Sequence, residues 1–450
     1  MAIGFDYGTA NCSVAELVND EVRQIPLVGD NYYISSTLCA PTAEVVSEYL
    51  FRCLDISPGS DISESVLRRA IKLNREEGLE VRFDDVRFGQ QALELYLEDP
   101  KDVYYVKSPK SFLGVTGLRD MQLAFFEDLV CAMMANIKTQ TEYALQKEVS
   151  QTVIGRPINF LGRGGNESNV QAEGILRRAA SRAGFRDIEF QFEPLAAGLD
   201  YEASLTTDKN VLVVDIGGGT TDCSFVQMGP TWCGKQDRTQ SLIAHSGQRI
   251  GGNDLDIFTA FKCFMQAFGM GSTSQSGLDL PTTQFWNPIA INDVQAQRKF
   301  YAHDNLKLLR QMWKEAREPE KLARLVQVHQ ETLGYSVIRE AERTKIALAD
   351  AETYDANLDL LSEVVSLSVT REQIEQAILN PTEKIKALVV EAIKQSSTKP
   401  DVIYMTGGSA RSPILAGAVR SVLPEIPLVS GNYFGSVTAG LARWANTIFR

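Results

Sequence analysis

Two stretches of this chain repeat one another, and the repeat restricts the fold more than any other feature. Ile3-Gly-Phe-Asp6-Tyr-Gly8-Thr9-Ala10-Asn-Cys-Ser-Val14 parallels Val211-Leu-Val-Val-Asp215-Ile-Gly217-Gly218-Gly219-Thr220-Thr-Asp222-Cys-Ser-Phe-Val226. Each reads as an apolar strand, an Asp, a turn of small residues carrying Thr, and a second apolar strand, which is a β-hairpin with a glycine tip. A looser third copy, Val402-Ile-Tyr-Met-Thr406-Gly407-Gly408-Ser409-Ala-Arg411, runs from a strand towards a helix near Pro413. Internal duplication of a supersecondary unit predicts two similar lobes, each presenting a glycine turn.

Between these markers strand and helix patterns alternate, as in α/β folds. Helical spacing covers 119–147 and 168–183, strands are predicted at Thr152–Gly155 and Asp187–Phe192, and Pro194 marks a helix start. The polar run Thr206–Asn210 is the natural lobe boundary. The expected division is lobe I over 1–205 with an insertion at about 40–115, lobe II over 206–432 with an insertion at about 262–338, and a closing helix over 433–450 that returns to lobe I.

With Lys+Arg 45 against Asp+Glu 57, the net charge of −12 opposes docking on nucleic acid or anionic lipid. Seven Cys without a C-x-x-C pair fit reduced, structural thiols better than a zinc site. Met1–Asp6 carries no basic region or cleavage site, and no apolar run is long enough to span a bilayer, so a cytoplasmic location is expected.

A glycine turn lets successive backbone N–H groups approach an anion, and Thr hydroxyls add donors, so the paired turns suit phosphate oxygens. An Asp beside phosphates would be repelled unless a cation lay between them; Asp6 and Asp215 therefore imply Mg²⁺, held largely through its waters. Gly229-Pro-Thr-Trp-Cys-Gly234-Lys235 satisfies the first part of a Walker A loop, but Gln236 stands where Ser or Thr is needed, and an ordinary turn is expected there.

At this point the chain resembles the actin-like ATPase superfamily, in particular the nucleotide-binding domain of DnaK-type heat-shock chaperones and, within that family, the bacterial YegD-like proteins. Besides the two hairpins, Phe192-Glu-Pro-Leu-Ala-Ala-Gly-Leu-Asp-Tyr201, Ile250-Gly-Gly-Asn-Asp-Leu-Asp256 and Met405-Thr-Gly-Gly-Ser-Ala-Arg-Ser-Pro413 carry the resemblance in order. It implies an α/β actin-like ATPase fold, with two ribonuclease-H-like βββαβα lobes flanking a nucleotide cleft and an insertion on each. It implies that Gly8, Thr9, Ala10, Gly217, Gly218, Gly219 and Thr220 clasp the phosphates of ATP or ADP. Lys110 would place the attacking water, with Lys107 as fallback. Glu193 would sense Mg²⁺, Asp215 would accept the water's proton with Asp222 helping to hold it, and Pro157 would switch with nucleotide state. Glu342 and Lys345 would contact the nucleoside, and Gly252, Gly407, Gly408, Ser409 and Arg411 would complete its pocket. The implied function is a weak Mg²⁺-dependent ATPase acting as a chaperone-like conformational switch. It would be a monomer with an unidentified protein partner or client and no peptide-binding domain.

Four positions depart from the chaperone pattern: Ala10 where a second Thr is usual, Thr221 for an aromatic, Ile346 for an adenine-stacking Arg, and Phe434 for an Asp. The first two resemble bacterial actins of the MreB type, which makes a filament protein the alternative and a small-molecule kinase of the same fold a weaker one. Outside the motifs, Lys307, Arg310, Lys314, Arg317, Lys321 and Arg324 recur at helical spacing, a stripe interrupted by Pro319 and interleaved with Glu315, Glu318 and Glu320.

Overall fold

The computed structural model describes residues 1–160, 165–238, 240–360, 362–431, 433 and 435–449. Strands β1 (Ala2–Tyr7), β2 (Asn11–Val18), β3 (Glu21–Gln24), β4 (Gln151–Arg156) and β5 (Asp187–Phe192) form one sheet in the order β3-β2-β1-β4-β5, with Ile34–Ser35 also pairing β2. Strands β6 (Lys209–Ile216), β7 (Thr221–Met228), β8 (Leu242–Gln248), β9 (Val402–Thr406) and β10 (Leu428–Ser430) form a second, in the order β8-β7-β6-β9-β10. In both sheets the first three strands are antiparallel and the last two join in parallel. The duplicated hairpin thus belongs to a duplicated sheet.

Register sharpens the repeat. Asp6 lies opposite Ser13 across the first hairpin, and Asp215 opposite Asp222 across the second. Cross-strand partners face the same side of a sheet, so each hairpin carries its Asp and one polar companion on a shared face. Most of β6 is buried, from Val211 to Ile216, and reads as the continuous apolar run expected of a strand covered on both faces.

Each lobe has its own apolar core, and a third cluster joins them. That cluster is built from helices Glu193–Glu202 and Ser436–Ile448, which pack on Val153 of the first sheet and on Val211, Val213, Val402 and Tyr404 of the second. The last helix runs so close to its neighbour that a Cβ on Gly440 would lie 1.6 Å from the Ala196 carbonyl oxygen. Gly440→Ala is therefore expected to destabilise the chain by about 3 kcal/mol, the upper range for overpacking. A thermal melt within a degree of wild type would show that the two helices can separate freely.

The first insertion holds helices Ala43–Leu54, Asp61–Glu76 and Gly89–Glu98 and a small sheet of Thr37–Ala40, Arg87–Phe88 and Tyr104–Lys107. The second carries helices Val294–Phe300, His303–Glu315, Pro319–Gln330 and Gly334–Ala347. Pro319 opens a new helix rather than kinking one, so the basic residues do not form a single stripe. Three of them are paired with carboxylates: Lys307 with Asp304, Lys321 with Glu318, and Arg324 with Glu363. The Walker-like segment is a turn in which Lys235 lies 4.6 Å from the centre of the Trp232 ring.

The insertions meet. Tyr335 packs edge-on against Tyr96 and Tyr105, with ring centres 5.8 and 5.1 Å away, and the Tyr96 hydroxyl donates to the Thr332 carbonyl. These contacts form a roof that joins the segment of Tyr96 and Tyr105 to that of Thr332 and Tyr335.

Candidate functional site

The two glycine tips touch. A Cβ on Gly218 would lie 2.8 Å from the Ala10 Cβ, and one on Gly219 would lie 2.9 Å from the Thr9 Cγ2. The tip of the second hairpin is closed by a Gly217 N–H to Thr220 carbonyl bond of 2.9 Å and is gripped from behind. The N–H groups of Gly252 and Asn253 donate to the carbonyls of Gly217 and Gly218 at 2.9 and 2.7 Å. The Ser409 hydroxyl donates to the Gly217 carbonyl at 3.2 Å. Three segments distant in sequence therefore fix one turn.

A cleft of about 280 Å³ opens at this junction. Its floor carries Asp6, Glu193 and Asp215. Gly8, Thr9, Ala10, Gly217, Gly218 and Thr220 supply the hairpin wall, and Gly252, Glu342, Lys345, Gly407, Gly408, Ser409 and Arg411 the far wall. Gly407 stands at φ +86°, and a side chain there would collide with the Asp215 carboxylate 2.5 Å away. Gly219, Lys110 and Asp222 are not on the lining; the last two are 4 and 2 % exposed.

Behind the floor, Lys110 Nζ donates to Glu193 Oε1 at 2.6 Å, to the Tyr7 carbonyl at 2.6 Å and to the Gly155 carbonyl at 3.3 Å. All three hydrogens of the ammonium are engaged. Glu193 opens its helix, ahead of Pro194, where a carboxylate is favoured by the positive helix end. Asp222 faces the Ile158 backbone and the Thr220 side chain, which offset part of the rise that burial imposes on its carboxyl. The end of β4, from Gly155 through the buried Pro157 to Ile158, thus touches Lys110 on one side and Asp222 on the other.

These carboxyls are crowded. Burial first, then the Glu193 charge, raises Asp6 well above the usual carboxylate range despite Lys110. Burial, then Glu193, Asp222 and Asp6, holds Asp215 well above that range too, and burial with Glu193 pushes Asp222 up to about 8. One lysine does not balance four acidic groups, and a divalent cation is what such a set favours. Among the described residues no three acidic, His or Cys side chains enclose an ion by themselves. The residues thus fit an ion held largely through phosphate oxygens and water.

The far wall is a relay of ion pairs that sequence reading assigned only in part. Lys345 pairs with Asp256 at 2.6 Å and Lys107 with Glu342 at 3.0 Å, while the Asn253 amide donates to Ser108 Oγ at 3.2 Å. Lys107, named as fallback for Lys110, points across the cleft instead. Asp256 and Asn253 were missed as lining residues, although Asp256 falls four residues after Gly252 and so shares its helix face. Tyr33, Asp350 and Tyr433 also line the cleft, and no sequence signal marks them. Ile346 is on the lining and 60 % exposed; Phe434 lies outside the described residues.

Residues 115–273 match the family described as Hsp70 protein. The chain is similar to the Hsp70 chaperones. A "Chaperone protein HscA homolog" from Rickettsia prowazekii is 24% identical over 376 residues, covering 81% of this chain and 54% of that protein. A "Chaperone protein DnaK" from Prochlorococcus marinus is 24% identical over 368 residues, covering 79% and 47%. An HscA homolog from Acinetobacter baumannii is 23% identical over 388 residues. The Hsp70-like chain spans about half the length of the curated relatives it matches. The mixed α/β fold with its duplicated sheet is consistent with that of the actin-like ATPases. No helix among the described residues is long and apolar enough to cross a membrane.

The raised carboxyls give this Hsp70-like cleft a pH signature. The folded chain holds protons on Asp6, Asp215 and Asp222 that the unfolded chain releases above about pH 4. Their stabilisation is complete below that pH and is lost as pH rises towards 8. The ligand-free chain is expected to melt a few degrees lower at pH 8 than at pH 5, each kcal/mol lost lowering the melting temperature of a chain this long by about 1 °C. Asp222→Asn should flatten the slope; a variant with the wild-type slope would rule Asp222 out as a source.

Proposed function

We propose that this chain binds ATP with Mg²⁺ in the cleft and hydrolyses it slowly, using the cycle to open and close the two lobes as a chaperone-like switch. The observation that carries the reading is the tip-to-tip contact of the two glycine turns above Asp6 and Asp215. Backbone N–H groups of both tips would hold the terminal phosphates, so a bound triphosphate ties the lobes together and its cleavage releases them. Phosphoryl transfer to water needs positioning and charge neutralisation more than covalent chemistry. Mg²⁺, when bound, supplies that neutralisation and lowers the carboxyl pKa values. Lys110, by exchanging one of its bonds to Glu193, Tyr7 or Gly155 for the water, would orient it. Asp215, ionised in the loaded state, takes its proton, and Asp222 steadies the second hairpin through Thr220. Glu342 and Lys345 would turn from their ion pairs towards the nucleoside. The roof between the insertions must part for exchange.

The chaperone names of the relatives support the switch reading over a filament. Adding ATP and Mg²⁺ to the purified chain is expected to raise its melting temperature and release phosphate without a rise in light scattering. Sedimenting filaments would replace the switch with the filament reading, and no nucleotide-dependent shift would overturn both.

A further inference from the structure

We propose that a second cavity, which shares no lining residue with the nucleotide cleft, binds an amphipathic carboxylate, an acyl chain ending in an anionic head. The cavity has about 570 Å³, within the range of small-molecule sites. It lies between helices Ala43–Leu54 and Asp61–Glu76 of the first insertion and the start of helix Asp120–Leu145. Its floor is apolar: Val66 and Ala70 are buried, and Met121, Phe125 and Phe126 contribute thioether and ring surface. Phe125 and Phe126 are held from behind by Tyr104 and Phe112, so the floor is preformed.

The rim has the opposite character. Arg69, Arg119 and Arg298 line the cavity and are exposed, and none of the three has an ion-pair partner among the described residues. The lining includes a single acidic side chain, Glu44. Three unneutralised guanidinium groups converging on one opening are unusual in a chain of net charge −12, where most described arginines sit beside carboxylates. Guanidinium groups recognise carboxylates through paired N–H donors, while the dry floor takes an apolar body. Arg298 comes from helix Val294–Phe300 of the second insertion, so the occupant would touch both lobes. The proposal stands apart from nucleotide hydrolysis and survives if that reading fails.

The test uses the full chain and sodium dodecanoate below its micellar concentration, titrated calorimetrically. Saturable binding with one site is expected. The triple variant Arg69→Gln, Arg119→Gln, Arg298→Gln should weaken it at least tenfold, and Ala70→Phe, which fills the floor, should do likewise. Since all three arginines are exposed, the triple variant should melt like wild type. Dodecyltrimethylammonium, with the same chain and opposite charge, should show no saturable binding. Absence of dodecanoate binding, equal binding of the cationic amphiphile, or an unweakened triple variant would each overturn the proposal.

Discussion

Asp215→Asn is expected to bind ATP with near wild-type affinity and to lower single-turnover hydrolysis at least about 100-fold, the usual loss when a positioned proton acceptor is removed. The variant separates binding from chemistry because the amide keeps the shape of the carboxyl and gives up only its charge. Asp215 is 5 % exposed, and burial, then the Glu193, Asp222 and Asp6 charges, holds its carboxyl well above the usual range in the ligand-free chain. A neutral amide cannot take on the charge that the site disfavours as pH rises, and the ligand-free variant should melt no lower than wild type at pH 8. Calorimetry with a non-hydrolysable analogue and a quench-flow measurement of phosphate release check the two halves. Wild-type turnover would remove Asp215 from the chemistry; lost binding would make it a structural or metal-holding group alone.

The two hairpins and the sheets around them were legible because their signals are local. A glycine tip between two apolar runs, an Asp at the end of the first, and Pro194 at a helix start can be read from a dozen residues, and the strand Asp187–Phe192 falls where its composition puts it. What was hidden is what joins distant segments. Nothing near Lys107 or Lys110 says which one faces Glu193, since the choice depends on Ser108 standing at φ +59° and turning the chain between them. The ion pair Lys107–Glu342 and the tyrosine roof join segments from the two halves of the chain, while Lys345–Asp256 joins two helices of the second half, and in each case the partner is set by packing far away in sequence. The basic stripe failed differently. Its periodicity is real, but a helix boundary at Pro319 divides it and three of its six charges are answered by carboxylates.

Chemistry and stability are entangled at Lys110, and a pair of variants can pull them apart. Lys110→Met leaves Glu193 and the Tyr7 carbonyl without their shared donor in a site where the lysine is 4 % exposed. Breaking a buried pair from one side costs about 3 kcal/mol, because the remaining charge stays desolvated. Turnover is expected to fall at least about 100-fold as well, if the ammonium positions the water. Both losses together would not distinguish a catalytic group from a structural one. Adding Glu193→Gln removes the stranded charge, and the double variant should recover most of the lost stability, read by urea denaturation. Turnover in the double variant should stay low, since neither substitution restores a cation behind the first hairpin. Recovery of both stability and turnover would make Lys110 a partner for Glu193 and nothing more, and the water would then have to be placed by the hairpins themselves.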